Sequence, residues 1–136
     1  MQSAYEDILA RLDLETAPPP GEWTPRQVLA HVIGALHRLP LQAGYYRAGA
    51  QVLPLVVDEV YWLPEWDNAP LPVFEEALLA AIAGVRALLH RLHTADLSHS
   101  ITHEVFETAT LAEFLFIAIE HVDDLHVPQL RAFVAA

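Results

Sequence analysis

Cysteine and lysine are both missing from this 136-residue chain, and each absence narrows what it can do. Without cysteine there is no disulfide scaffold, no thiolate zinc site and no thiol nucleophile of the chain's own. Without lysine, the seven basic residues are all arginine, set against 18 acidic ones for a net charge of −11. That balance repels a phosphate backbone, which is bound through clustered cations that release counterions, so nucleic acid is not an expected partner. An anionic membrane surface is disfavoured for the same reason. Long apolar runs are also lacking. The longest stretch free of Asp, Glu, Lys and Arg covers eleven residues, Gln27 to His37, whereas a membrane span needs about twenty. Residues Met1 to Asp7 carry neither a basic n-region nor an apolar h-region, so no signal peptide and a cytoplasmic location are expected.

What is present is a folding-competent composition. Hydrophobic residues make up 54% of the chain and charged ones 18%, which excludes the disordered class. The length predicts one domain, residues 1–136, with a core that needs no metal or disulfide staple. Apolar residues in excess of that core favour self-association, and a homodimer is the expected state.

Periodicity predicts four helices. Ser3 and Glu6 have capping-box spacing, and Tyr5, Ile8, Leu9 and Leu12 form a stripe, so Ala4 to Leu12 reads as the first. Pro18-Pro19-Pro20-Gly21 makes Leu14 to Glu22 a connector. Thr24, Pro25 and Gln27 then give a well-defined start to the second helix: a cap, a proline at the first helical position and a box partner. It buries Val28, Leu29, Val32, Ala35, Leu36 and Leu39 and is expected to stop before Pro40. A shorter helical stretch is expected from Leu41 to Leu53, weakened by Gly44 and Gly49. Leu55 to Trp66, fenced by Pro54 and Pro64, is compatible with a strand, a helical turn or a loop. Val73 to His93 is the third helix, with a wide apolar stripe. Thr94 to Thr108 is a polar connector able to hold a short hairpin. The fourth helix starts at Thr110, with Glu113 completing its box, and runs to about Val134; Pro128 inside it predicts a kink between His121 and Pro128. Four such stripes are buried together by an all-α four-helix bundle.

Eight histidines occur. His37, His90, His93, His99 and His103 read as surface residues or helix-end cations. His31 and His126 differ, because each lies at the edge of a buried stripe on a long helix. Residues four apart on a helix differ by only about 40° of rotation, so His126 points where Val122 points. The bland reading of both is a core histidine bonded to a carbonyl or carboxylate. The functional reading is a metal site, which needs at least three converging ligands. A donor four residues before His126 would suit, but that residue is Val122. Asp123, three back and about 60° away, still reaches one ion. His121, five back and about 140° away, reaches it only if a kink or a π-bulge adds rotation. The third ligand stays open between Asp123 and His121.

These residues give the chain a resemblance to the DinB/YfiT-like superfamily of metalloenzymes, four-helix bundles with a histidine triad. Trp23-Thr-Pro-Arg-Gln-Val-Leu-Ala-His31 is similar to the family's Trp-Ser/Thr-x-x-x-x-x-x-His segment. Thr110-Leu-Ala-Glu-Phe-Leu through His126-Val-Pro-Gln129-Leu130 is similar to its last helix, which typically reads His-x-x-x-His-x-x-Gln. The resemblance implies the bundle fold and, by position, His31 and His126 as ligands of a divalent metal, zinc or nickel. Val122 stands where the pattern has its other histidine. Two readings follow: a site rebuilt with Asp123 or His121, or a member that has lost its metal.

The first is a metal-dependent enzyme, of hydrolase or thiol-dependent transferase type, acting on a small-molecule substrate or thiol. Glu120, Asp123 or Asp124 would be its proton acceptor, and helix phase does not choose among them. The alternative is a non-catalytic, metal-free bundle that dimerises or binds a small apolar ligand, lined by Tyr45, Tyr46, Tyr61, Trp62 and Trp66.

Overall fold

Four helical rods pack around one apolar core in the computed structural model, which describes residues 1–50, 52–53, 62–103 and 107–134. The first rod, α1 (Gln2–Leu9), starts earlier than its sequence signals indicate. The Ser3–Glu6 box does not form. Glu6 instead accepts a hydrogen bond from the Gln2 side chain at 2.8 Å, and Met1 occupies the cap position. Tyr5, Ile8 and Leu9 are buried as the stripe requires, and Leu12 lies beyond the helix in an isolated bridge to Val134.

The second rod, α2 (Pro25–Arg47), runs through Pro40 and does not stop before it. An interior proline removes a hydrogen bond and costs a helix about 3 kcal/mol. Here Leu36 and Leu39 before it, and Ala43 and Tyr46 after it, are all buried in the core. Packing on both sides therefore carries the helix past its breaker, and the separate helix expected from Leu41 is its continuation. After Arg47 the chain enters β1 (Val52–Leu53); Tyr61 and most of the 55–66 segment lie outside the described residues. A short 3-10 turn spans Pro64–Asp67.

Arg26 ties this region to the bundle. Its guanidinium donates to the carbonyl oxygens of Trp66 and Ala69 at 3.2 and 2.5 Å and to the Glu15 carboxylate at 2.6 Å. The third rod, α3 (Leu71–Arg91), buries Phe74, Leu78, Ala81, Ile82, Val85 and Leu88. A short α4 (Thr94–Ser98) follows, and then the hairpin allowed by the polar connector: β2 (Ser100–His103) antiparallel to β3 (Glu107–Thr110). Beyond that expectation, β1 joins β2 in parallel, which makes a three-stranded sheet.

The last rod begins as expected, with Thr110 and Glu113 forming both bonds of the capping box. It consists of α5 (Leu111–His121), a π-helical turn at Val122–His126, and α6 (Val127–Arg131). Pro128 has no N–H, and its ring presses on the carbonyl four residues back, that of Asp124. The chain answers with a wider turn immediately before the proline, inside the His121–Pro128 segment where the kink was expected. No helix among the described residues is long and apolar enough to cross a membrane.

Candidate metal centre

The position of His31 follows from the start of α2. Thr24 Oγ1 accepts from the Gln27 N–H at 3.2 Å, and Gln27 Oε1 accepts from the Thr24 N–H at 2.9 Å. That reciprocal pair fixes the helix phase, and His31 stands about two turns further on. Its ring faces the last rod, with its centroid 4.7 Å from that of His126 and 5.9 Å from that of His121.

On the last rod, the π turn decides which residues meet. It takes one more residue than an α turn, so position i+5 falls roughly where i+4 would lie in a regular helix. His121 and His126 thereby share a face, and their Nε2 atoms are 3.0 Å apart. One ligand atom from each of His31, His121 and His126 lies within 4.8 Å of the others, and no other group of three His, Asp or Glu side chains converges in this way among the described residues. His126 is 3% exposed, His31 partly buried and His121 on the open side.

Asp123, the other residue considered for this role, is directed elsewhere. Its carboxylate lies 3.8 Å from the Met1 amino nitrogen, outside the histidine group. Val122 is a core residue, 1% exposed. Its carbonyl accepts the Tyr5 hydroxyl at 2.8 Å, so a side chain from α1 holds the first residue of the wide turn. Burial, with the Asp123 charge second, raises the Tyr5 phenol well above its ordinary range and keeps it a donor. Glu120 and Asp124 are exposed and outside the group.

The donor set fits a borderline divalent cation. Imidazole nitrogen suits zinc and nickel. Gln129 Oε1 lies 2.9 Å from His126 Nδ1 and accepts its proton, which leaves the Nε2 lone pair facing the other rings. In the protein alone, that lone pair accepts the His121 Nε2–H. Outer-shell partners of this kind fix ring orientation as well as tautomer.

A cleft of about 530 Å³ opens over the three rings, with Glu22, Trp23, Leu125 and Gln129 in its wall. The Trp23 ring is 5.0 Å from His31 and lies nearly parallel to His126, at 9° and 6.4 Å. Sequence reasoning did not place Glu22, Leu125 or Gln129 around this cleft. A signal for the first was present: Pro19-Pro20-Gly21-Glu22 has the composition of a type II turn. The structure contains that turn, with Gly21 at φ +82° and the Glu22 N–H donating to the Pro19 carbonyl at 3.1 Å.

A four-helix bundle with a histidine from its second rod facing two from its last defines the class of protein. The model of the DinB superfamily matches residues 2–126, and the chain belongs to that superfamily. Among solved structures it is similar to YfiT from Bacillus subtilis, described as a probable metal-dependent hydrolase with an unusual four-helix bundle topology. The TM-score is 0.75 at 17% identity, over 96% of this chain and 79% of that one, which establishes a common fold. No curated protein matches the chain.

Proposed function

We propose that the chain is a divalent-metal-dependent enzyme, of hydrolase or thiol-dependent transferase type, whose ligands are His31, His121 and His126. The observation that supports this is the convergence of three imidazole nitrogens within 4.8 Å at the floor of an open cleft. A zinc or nickel ion bound with a position left open lowers the pKa of a water or thiol there and supplies a nucleophile near neutral pH.

The chain's own residues have separate tasks in this reading. Gln129 orients the His126 ring and holds its Nδ1 proton. Trp23 covers one side of His31 and His126, which restricts water on that side. His121, at the open side, leaves access from the cleft. Glu22 is the carboxylate in the cleft wall, whereas Glu120 and Asp124 are outside it. Proton transfer is therefore better assigned to Glu22 than to the acidic residues of the last rod.

Association into a homodimer in the cytoplasm belongs to the same proposal. Leu41, Tyr45 and Phe116, at 45%, 44% and 66% exposure, supply apolar surface for it. The metal-free, non-catalytic alternative rests on Val122, which stands at the expected ligand position and packs in the core, together with the aromatic residues Tyr45, Tyr46, Tyr61, Trp62 and Trp66.

Metal analysis of protein purified without a metal-affinity step tests the proposal. Near-stoichiometric zinc or nickel, and a higher melting temperature on adding either, is the expected result. Protein that carries no divalent ion and does not respond to added zinc or nickel would sink the enzyme reading and leave the alternative.

A further inference from the structure

The wall of the histidine cleft carries charge of only one sign apart from the histidines themselves. Glu22 stands at its lip, held by the type II turn, and its carboxylate has no ion-pair partner among the described residues. Every arginine of the chain is described, none lines the cleft, and there is no lysine. Several are engaged elsewhere, Arg26 with Glu15, Arg11 with Asp7 and Arg47 with Asp96. No arginine or lysine is therefore available to hold a carboxylate, phosphate or sulfate on the remote part of a ligand, and the net charge of −11 repels such groups on approach.

Of the other wall residues, Trp23 and Leu125 set the rest of the ligand. Trp23 presents an aromatic surface next to Glu22, and Leu125 presents an apolar side chain that is 54% exposed. An aromatic face beside a carboxylate attracts a cation twice, through the ring quadrupole and through the charge.

We propose that this cleft takes a small amphiphilic molecule bearing a protonated amine, with its apolar part against Trp23 and Leu125 and its ammonium beside Glu22. The inference deepens the functional reading of the same cleft and rests on it. Selectivity comes from the lip and not from the histidines, so it is present before any metal is bound.

The test compares 4-phenylbutylamine, 4-phenylbutanol and 4-phenylbutyrate by calorimetry on the full chain after chelator treatment, since zinc itself would attract the carboxylate. The amine is expected to bind roughly fivefold or more tighter than the carboxylate, with the alcohol between, a difference of the size of an exposed charge contact. Glu22→Gln should remove the amine's advantage over the alcohol, and Leu125→Ser should weaken all three; both positions are exposed, so the fold is retained. Equal or tighter binding of the carboxylate, an amine advantage that survives Glu22→Gln, or no binding of any of the three overturns the inference. Zinc titration of the same preparation separates the two readings. Zinc uptake without amine preference removes this inference alone, whereas amine preference without zinc uptake removes the metal reading and leaves a cation-selective cleft.

Discussion

His121 and His126 are five residues apart in the chain, and their Nε2 atoms are 3.0 Å apart in space. A regular α-helix would turn the second about 140° away from the first. The wide turn at Val122–His126 removes that mismatch, so the helix phase is set by its least regular segment.

Zinc uptake should therefore distinguish neighbours on the last rod. His121→Ala, like His31→Ala and His126→Ala, is expected to abolish near-stoichiometric zinc binding, and Asp123→Asn is expected to retain it. Metal content measured by mass spectrometry on the four purified variants reads the difference. Retention by His121→Ala with loss by Asp123→Asn would reverse the ligand assignment.

Tyr5 is expected to act on the same pair from a distance. Tyr5→Phe leaves the buried Val122 carbonyl without the phenol donor and should lower stability by about 1–3 kcal/mol in urea unfolding. Since that carbonyl begins the wide turn, zinc affinity should fall as well. Unchanged affinity in a destabilised variant would confine Tyr5 to a packing role.

The Tyr5 phenol also predicts an alkaline limit. Its folded-state pKa is raised above the ordinary 10.0, because burial, and secondarily the Asp123 charge, favour the protonated form. Stability from that difference is fully present below the unfolded value of about 10 and is lost as the pH rises above it. The advantage of the natural protein over Tyr5→Phe should consequently shrink between pH 9 and pH 11. Urea midpoints at the two pH values measure it, and a constant gap would contradict it.

Arg26 gives a prediction about the fold alone. A lysine at this position has one ammonium where the guanidinium reaches two carbonyls and a carboxylate, at 3.2, 2.5 and 2.6 Å. Arg26→Lys should lower stability by about 1–3 kcal/mol through carbonyls left unpaired. Thermal unfolding would show it as a lower midpoint, and wild-type stability would mean that water replaces the clamp.

Legibility in the sequence varied with how local the cause was. Thr24 with Gln27 and Thr110 with Glu113 both cap as their spacing predicts, because every partner lies within one turn. Ser3 and Glu6 have the same spacing and do not, since the helix starts at Gln2 and Ser3 lies inside it, with Glu6 accepting from Gln2. Pro40 misleads because the buried residues that override it come from α3 and α5 as well as α2, and a local rule does not contain them. Pro128 signals a distortion without its form. The wide turn that brings His121 to His126 begins at a carbonyl held by Tyr5, 117 residues away in the chain, and a local rule does not contain that contact.

The reciprocal bonds at Thr24 divide the cleft into a helical part and a lip, which meet at the Trp23 ring. Everything after Thr24 is indexed to the helix, so the imidazole of His31 takes its place from the capped helix, with the Trp23 ring against one side. The lip, from Gly21 to Trp23, lies on the other side of that boundary. Grafting a different loop ahead of Trp23 would thus retune what enters the cleft while keeping the ring that packs on the nitrogen donors, which makes this junction the natural place for divergence, or for an engineer, to begin.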